Sequence, residues 1–180
     1  MLMFQDILTT DRQITLWIYH YFPRFFLFDL ISQLINTTLV PIIIWTIILV
    51  IFHYRKKRYF IILPLFNLLI AGGIANYILK NLLLRIRPCM QDIVLNFPCP
   101  TDFSFPSSHA ATSFAAATAI SLLDPKRRTL YYSIALIVSL SRIYLGVHYI
   151  LDVMGGIILG VTISMLLLKL TYYKISHNTK

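Results

Sequence analysis

Long apolar runs alternate with short polar or basic segments along the whole sequence. A run of about 20 apolar residues is long enough to cross the hydrocarbon core of a bilayer as an α-helix. Five crossings are predicted, at Phe25–Phe52 with its lipid-crossing part at Thr37–Phe52, Tyr59–Leu84, Ser107–Leu123, Thr129–Leu145 and His148–Leu170. The pattern therefore predicts an all-α fold, a polytopic membrane helical bundle that forms a single integral-membrane domain over residues 1–180.

The N-terminal segment, residues 4–20, is too polar to be a further crossing. Its apolar side chains are interrupted by polar ones, among them Asp6, Asp11, Arg12 and Gln13. Such a mixture is typical of a helix that lies in the membrane interface. The segment also lacks the basic start and small-residue cleavage site of a secretory signal peptide, so we expect no cleavage there.

Composition agrees with a membrane protein and argues against nucleic-acid binding. Hydrophobic residues make up 58% of the chain, its mean hydropathy is +0.74, and only 13% of its residues are charged. Soluble domains carry roughly 25% charged residues. The net charge of +9 comes from short basic clusters between apolar runs rather than from one soluble face. We therefore expect membrane lipids, and no nucleic acid, as partners.

The distribution of Lys and Arg predicts which side of the membrane each loop faces. With five crossings, the loops around residues 53–59 and 123–129 share one side with the C-terminal tail. That side carries ten basic residues: Arg55, Lys56, Lys57, Arg58, Lys126, Arg127, Arg128, Lys169, Lys174 and Lys180. Because basic loops favour the cytoplasm, the opposite side, with the connection Arg85–Ser104, is predicted to face outward from the plasma membrane.

Three outward segments carry ionisable residues, and the first is Lys80 with Arg87 and Pro88. Seven residues make two helical turns, so Lys80 and Arg87 are predicted to project from one helix face toward one anion. Taken alone, Lys80 is equally typical of a lysine that extends to the membrane interface. Arg85 does not share this face and is left as an auxiliary residue.

The second segment, Pro106–His109, opens the third predicted crossing. Serine side chains at a helix start cap free backbone N–H groups, and the same N–H groups can bind a phosphate. His109, one step later, is placed to exchange a proton with that anion. A purely structural helix cap is the alternative reading of the two serines, Ser107 and Ser108.

The third segment contains Arg142, His148 and Asp152. The last two are four residues apart at a predicted helix start, so the carboxylate can accept a proton from one imidazole nitrogen and leave the other free to attack. Gly146 allows the chain to turn between the two helices. A buried structural His–Asp pair is the alternative.

Together the three segments bring cations, a helix start, two histidines and a carboxylate to one membrane face, where inward-facing ionisable residues are functional candidates. The motifs read Lys80-x6-Arg87-Pro88, Pro106-Ser107-Ser108-His109 and Ser141-Arg142-x5-His148-x3-Asp152. Their order and internal spacings resemble the three-part signature of the type 2 phosphatidic acid phosphatase superfamily, which also includes vanadium haloperoxidases. One departure is Ser108, which stands where that family often has glycine.

The resemblance implies phosphoryl transfer without a metal or other cofactor. His148 would attack phosphorus to form a phosphohistidine, Asp152 would orient it, and His109 would protonate the leaving oxygen and then activate water. The phosphoryl oxygens would be held by Lys80, Arg87, Ser107, Ser108 and Arg142. Fixed positive groups around the equatorial oxygens stabilise the charge that develops during such a transfer.

Other readings remain open at this stage. Two histidines and an aspartate can form a facial triad for a divalent metal, although four cations at the same place and the lack of any glutamate argue against it. A transporter, channel or lipid-binding scaffold would usually show repeats or helices broken at mid-membrane. A transferase that passes phosphate to another lipid uses the same chemistry as a phosphatase.

The substrate follows from the resemblance only by class. A short chain with an outward site resembles the undecaprenyl diphosphate phosphatases, with phosphatidylglycerophosphate or phosphatidate as the second candidate, because the motifs read phosphate rather than the lipid tail. Cys89 and Cys99 lie in the outward connection, where both a disulfide and two free thiols remain open. The oligomeric state is not predicted.

Overall fold

The computed structural model describes residues 2–35, 37, 39–53, 59–93, 95 and 97–178, and these form helices joined by turns, with no strand among them. The helices are α1 (Leu2–Tyr21), α2 (Phe26–Leu34), α3 (Leu39–His53), α4 (Tyr59–Gly73), α5 (Lys80–Leu83), α6 (Pro88–Gln91), α7 (Ser108–Leu123), α8 (Arg128–Tyr144) and α9 (Ile150–Asn178). A π-helical segment, Ile74–Leu79, joins α4 to α5, and a 3₁₀ turn, Pro125–Arg127, precedes α8. The predicted all-α class is confirmed.

Two helical stretches of the described residues are long and apolar enough to cross a membrane, Ile61–Leu83 and Ile150–Leu170. The pair α2 and α3 meets the same criterion as one bent unit, with 92° between its two halves. The helices α7 and α8 contain 16 and 17 residues, near the lower end of the roughly 17–25 residues that span a bilayer. Helices lie where each crossing was predicted, and the number of crossings stays a prediction.

Helix α7 occupies the centre of the bundle, in contact with α4, α8 and α9. Every residue from Ser108 to Ser121 is buried, and alanine predominates among them because close helix packing in a membrane needs small side chains. On α9, a Cβ added to Gly156 would collide with the carbonyl oxygen of Ser107, just before α7, and one added to Gly160 would collide with that of Ala111 in α7. The apolar core around Trp45, Leu68 and Ile120 lies toward the C-terminal half of α7, so the N-terminal half is left to the polar groups.

Helix α1 packs against the start of α9 through two buried polar side chains. Asp11 accepts a hydrogen bond from the Leu151 N–H at 3.1 Å, and Thr15 accepts one from the Ile150 N–H at 3.3 Å. The first N–H groups of a helix have no partner within the helix. The N-terminal helix therefore caps α9, and its position in the membrane interface stays a prediction.

The connection between α5 and α7 is anchored by covalent and backbone contacts. Cys89 and Cys99 form a disulfide with their Cα atoms 5.9 Å apart, which decides the alternative that the sequence left open. Further along, the Ser104 N–H donates to the Arg85 carbonyl at 2.7 Å. These anchors hold the segment between Cys99 and Ser104 over the end of the bundle at which α7 and α9 begin.

At the other end of the bundle, Asp124 bonds to Arg127 and Tyr131 in the turn between α7 and α8. Of the ten basic residues expected on the cytoplasmic side, five lie outside the described residues: Arg55, Lys56, Lys57, Arg58 and Lys180.

Candidate active site

His148 lies in the turn between α8 and α9 and is completely enclosed by protein. The turn needs Gly146, whose φ of +71° lies in the left-handed region that side chains disfavour. A Cβ at Gly146 would also approach Ile93 Cδ1 and Tyr19 Cδ2 at 2.8 Å each. The turn predicted between Arg142 and His148 is therefore present and places the imidazole inside the bundle.

The neighbours of His148 determine which of its ring nitrogens carries the proton. Arg87 Nη1 lies 3.0 Å from Nε2, and a guanidinium can only donate hydrogen bonds. Nε2 is therefore the unprotonated nitrogen, and the proton is on Nδ1. Nδ1 faces Asp152 Oδ2 at 3.5 Å and Ser104 Oγ at 3.4 Å.

His148 is held neutral as well as oriented. Burial, followed by the positive charges of Arg87, Arg142 and Lys80, holds the pKa of His148 well below its ordinary value. A neutral imidazole keeps a lone pair on its unprotonated nitrogen, and this lone pair can attack once the hydrogen bond from Arg87 is released. The unprotonated nitrogen is the one that faces the cations.

Asp152 has a partner at each of its carboxylate oxygens. Oδ2 accepts hydrogen bonds from the Tyr149 N–H at 2.8 Å and from the Ser104 hydroxyl, and Oδ1 accepts one from Arg85 Nη1 at 2.6 Å. The prediction that the last helix begins at His148 is wrong by two residues. His148 precedes α9, which begins at Ile150, because Asp152 caps the Tyr149 N–H and leaves His148 in the turn.

Lys80 and Arg87 converge, but not along one helix face as predicted. The helix ends at Leu83, Leu84 takes a left-handed conformation with φ of 49°, and Arg87 is extended with φ of −77° and ψ of 152°. The chain therefore turns back after Leu83 and brings Arg87 beside Lys80. The prediction of a shared helix face is wrong because the helix that contains Lys80 ends at Leu83, four residues before Arg87.

Arg87 uses each of its guanidinium nitrogens. Nε donates to the Asp102 carbonyl at 2.8 Å, Nη1 donates to the Val147 carbonyl at 2.9 Å, and Nη2 donates to Asp102 Oδ1 at 2.8 Å. Lys80 Nζ forms an ion pair with the other oxygen of the same carboxylate, Oδ2. Both cations therefore converge on Asp102.

Asp102 is a site residue that the sequence analysis missed. Partial burial alone would raise its pKa, but Arg87 and Lys80 lower the pKa of Asp102 to about 2, so the carboxylate is ionised at any physiological pH. It occupies the position expected for a phosphoryl group. The available signal was that six of the seven acids fall on the side predicted to face outward, together with the site cations. This concentration indicates that a cation has an acidic neighbour but does not identify the neighbour.

Arg85 is also more central than its sequence position indicated. It bridges Asp152 and Asp11, with Nη2 2.6 Å from Asp11 Oδ2, and its guanidinium carbon lies 4.1 Å from the centre of the Tyr149 ring. Through Arg85, helix α1 is connected to the carboxylate that faces His148. Asp11 was interpreted only as a polar residue of an interfacial helix, and its partners lie more than 70 residues away in sequence.

The predicted helix start at Ser107 is present without the predicted side-chain cap. Ser107 is extended, with φ of −69° and ψ of 114°, and makes no side-chain capping bond. Its Oγ is buried without a hydrogen-bond partner among the described residues, and its N–H donates to the Asp152 carbonyl at 2.9 Å. The Ser107 hydroxyl is therefore available to a ligand.

Ser108 and His109 line a neighbouring cavity of about 200 Å³ between α3, α4 and α7. The Ser108 hydroxyl bonds to Asn76 Oδ1 in the π-helical segment, and His109 Nε2 lies 3.1 Å from the Ile35 carbonyl oxygen. Apolar side chains, among them Ile42 and Leu68, complete the lining. His109 lies within electrostatic range of His148 and Arg142.

The last predicted phosphate ligand, Arg142, is buried at the end of α8 within electrostatic range of Arg87 and Asp102. Direct contacts thus gather Lys80, Arg87, His148 and Asp152, with Arg142 adjacent. The described residues contain no group of three His, Cys, Asp or Glu side chains placed to hold a metal ion, so His109 does not form a triad with His148 and Asp152.

The sequence of this chain is similar to those of known proteins. The family model described as the PAP2 superfamily matches residues 61–176. The undecaprenyl-diphosphatase of Sulfolobus acidocaldarius is 35% identical over 123 residues, which cover 67% of this chain and 59% of the relative. The decaprenylphosphoryl-5-phosphoribose phosphatase of Mycobacterium tuberculosis H37Rv is 41% identical over 96 residues, 52% of this chain and 51% of the relative. The chain thus spans little more than half the length of these curated relatives.

A solved structure extends the likeness to the fold. The crystal structure of a transmembrane PAP2-type phosphatidylglycerolphosphate phosphatase from Bacillus subtilis superposes with a TM-score of 0.67 and 26% identity, and the match covers 93% of this chain and 87% of that one. The family that the three motifs resemble is thereby confirmed. Since the family model matches more than half of its residues, the chain belongs to the PAP2 superfamily.

Proposed function

We propose that this chain is a membrane lipid phosphatase that converts undecaprenyl diphosphate to undecaprenyl phosphate through a phosphohistidine intermediate on His148. The observation that carries the proposal is the pair of contacts at the imidazole. Nε2 faces Arg87 at 3.0 Å, beside Lys80, and Nδ1 faces Asp152 at 3.5 Å. An unprotonated nitrogen beside two buried cations is arranged to attack a bound phosphoryl group.

In the first step, the Nε2 lone pair attacks phosphorus while the bond between phosphorus and the leaving oxygen breaks. Asp152 stabilises the positive charge that the imidazole acquires. His109, in its protonated imidazolium form and released from the Ile35 carbonyl, donates a proton to the leaving oxygen. In the second step, water attacks phosphorus, His109 takes its proton, and the bond to Nε2 breaks. Lys80, Arg87, Ser107, Ser108 and Arg142 hold the phosphoryl oxygens throughout.

The substrate class is proposed from two supports. The cavity beside Ser108 and His109 is mostly apolar. Such a lining suits a lipid chain whose phosphate binds at the neighbouring Lys80 and Arg87. The two curated relatives described above carry polyprenyl groups in the names of their substrates. Phosphatidylglycerophosphate or phosphatidate is the second candidate, favoured by the name of the solved structure. A transferase differs only in using a lipid hydroxyl or phosphate where the phosphatase uses water.

We further propose that residues 1–180 form one integral-membrane domain with five crossings, with α1 in the interface and the site on the outer face of the plasma membrane. The asymmetry of basic residues supports this orientation. A membrane-impermeant thiol reagent should label Cys89 or Cys99 in intact cells after reduction. Labelling only after lysis would reverse the orientation.

The deciding experiment measures phosphate release by the detergent-purified protein from undecaprenyl diphosphate, phosphatidate and phosphatidylglycerophosphate, side by side, with EDTA throughout. We expect release without a metal, fastest from the diphosphate. His148→Ala should abolish release, whereas His20→Ala, at an exposed histidine of α1, should leave it unchanged. Activity that requires a divalent ion or an acceptor lipid, or appreciable turnover by His148→Ala, would overturn the mechanism.

A further inference from the structure

The two buried cations of the site have a counter-ion that is itself open to water. The side chains of Lys80 and Arg87 are 4% and 3% exposed, whereas that of Asp102, which bonds to both, is 49% exposed. Removing the partner of a buried charge is strongly destabilising. Here the partner comes from the solvent side of the site, the side from which a phosphate would also arrive.

The chain around Asp102 is anchored on both sides. Cys99 is bonded to Cys89, and the Ser104 N–H donates to the Arg85 carbonyl at 2.7 Å. The backbone carbonyl of Asp102 accepts Arg87 Nε at 2.8 Å. The carboxylate can therefore leave by rotation of its own side chain while the backbone of Asp102 still holds Arg87.

Departure of the carboxylate frees two donors beside the proposed nucleophile. Lys80 Nζ and Arg87 Nη2 each lose a partner, but Arg87 Nε and Nη1 keep theirs on the carbonyls of Asp102 and Val147. Arg87 Nη1 also faces His148 Nε2. The freed donors match two oxygens of one anion, whether a carboxylate or a phosphoryl group.

We propose that Asp102 is an exchangeable counter-ion of the phosphate site: its carboxylate occupies Lys80 and Arg87 in the empty site, yields them to the phosphoryl group, and returns as inorganic phosphate leaves. The inference rests on the proposed function for the identity of the anion, a phosphomonoester, a terminal diphosphate or inorganic phosphate. Asp102 belongs to none of the three motifs, so it is a further residue that sets anion affinity.

An internal competitor weakens the binding of every anion at that position by one common factor. Because Asp102 is tethered beside the two cations, its effective concentration there is in the millimolar range or above. Hydrogen bonds to charged groups are strong enough that removing the competing charge should tighten phosphate binding roughly tenfold. The rate of product release increases most, because Asp102 pairs with the cations again as phosphate departs.

A fixed positioning role for Asp102 has the opposite consequence. If its carboxylate stayed on Lys80 and Arg87 in the complex and only held them in place, its neutralisation would loosen both cations and weaken phosphate binding. The sign of the change in phosphate affinity therefore separates the two roles.

The test titrates sodium phosphate against the thermal unfolding of the detergent-purified protein, in the wild type, Asp102→Asn, Asp102→Glu and Asp92→Asn. Purification in phosphate buffer, followed by exchange, keeps the two cations paired during preparation. Asp92 bonds to Arg12 on α1, so Asp92→Asn removes the same charge elsewhere. This readout needs no turnover, so it stands apart from the lipid assay of the proposed function.

We expect the half-saturating phosphate concentration to fall roughly tenfold in Asp102→Asn, and to stay near the wild-type value in Asp102→Glu and Asp92→Asn. Inhibition of lipid turnover by phosphate should strengthen by the same factor in Asp102→Asn. Unchanged or weaker phosphate binding by Asp102→Asn overturns the exchange. If phosphate binds as expected but no lipid is hydrolysed, the proposed function fails while the role of Asp102 stands.

Discussion

Two carboxylate–cation clusters meet at His148, and they differ in how far water reaches them. In the first, Asp102 pairs with Lys80 and Arg87, and its side chain is 49% exposed. In the second, Asp152 pairs with Arg85, which also holds Asp11, and the Asp152 side chain is 0% exposed. One cluster faces Nε2 of the imidazole and the other faces Nδ1.

The difference teaches how similar ion pairs can serve opposite purposes. Asp152 has a main-chain N–H, a hydroxyl and a guanidinium as partners, so its rearrangement would leave several buried groups unpaired. Among the described residues, the Asp102 carboxylate contacts only the side chains of Lys80 and Arg87, which is why we propose that it exchanges with an anion. In the proposed mechanism the buried cluster orients the imidazole, and the half-exposed cluster occupies the place of the phosphoryl group.

The largest effect is expected from breaking the buried cluster at Asp152. Asp152→Asn should lower kcat by roughly 10³- to 10⁴-fold, because an amide neither favours the Nδ1 proton nor stabilises the imidazolium. KM should change little. Steady-state kinetics on the preferred lipid would measure this, with Asp29→Asn, at an acid paired with Arg24 at 3.7 Å, as the matched control. A loss below tenfold would remove Asp152 from the mechanism.

A smaller effect is expected at Arg85, which orients Asp152 from behind. Arg85→Gln leaves Asp11 and Asp152 without their shared cation and should lower kcat roughly 10²-fold, together with the melting temperature. Arg85→Lys should restore part of both. Arg12→Gln, which removes an exposed arginine paired with Asp92, should retain full activity. If Arg85→Gln loses stability but keeps its kcat, the link through Arg85 is structural only.

The pH dependence of substrate binding sharpens the comparison further. Since the pKa of Asp102 is about 2, its carboxylate stays ionised, and only the phosphate changes charge near its second pKa of about 6. KM should therefore fall roughly tenfold as the pH rises from about 5 to about 7. Asp102→Asn should lower KM at every pH without moving the inflection.

The same profile also tests the charge of His148. Its pKa lies well below the ordinary 6.5, first through burial and then through Arg87, so the imidazole protonates only at lower pH and the acid limb of kcat/KM from His148 should lie below 6.5. Because the charge of Arg87 lowers the pKa of His148, replacing Arg87 should move this limb to higher pH, whereas a limb of His148 centred at or above 6.5 in the wild type would show that the imidazole is charged in the free enzyme.

The smallest effect is expected from the disulfide. Reduction, or Cys89→Ser with Cys99→Ser, removes one of the two anchors of the Asp102 segment and should change KM by about two- to threefold. The kcat should stay intact, because a disulfide that closes a loop of this size mainly restricts unfolded conformations. Kinetics before and after reduction would measure it. A loss of kcat instead would mean that the bridge also positions Arg87.

Much of the site was predictable because the three motifs are short-range patterns. The predicted segments do meet in one place. Arg87 contacts His148, which faces Asp152, and Arg87 and Lys80 share Asp102. The local geometry was predicted less well: a left-handed Leu84 brings Arg87 back beside Lys80, and a helix that begins at Ile150 leaves His148 in a turn. Spacing along a chain does not reveal where a helix stops.

Asp102, Arg85 and Asp11 were missed for a different reason. Asp11 meets Arg85 across 74 residues, and Arg85 meets Asp152 across 67. Any acid on the side predicted to face outward could have paired with any cation on that side, because composition counts charges without assigning partners. Assignment needs the packing of α1 and of the disulfide-anchored connection against the bundle.

The sequence by itself determined the helical membrane class, the approximate place of each long helix and the chemical types gathered at one end, because hydrophobic periodicity and motif spacing act over short distances along the chain. Only the tertiary structure decided which carboxylate is enclosed and which is exposed, and which nitrogen of His148 faces Arg87 and is therefore unprotonated. Those properties depend on burial and on contacts between distant segments, which exist only once the helices have packed.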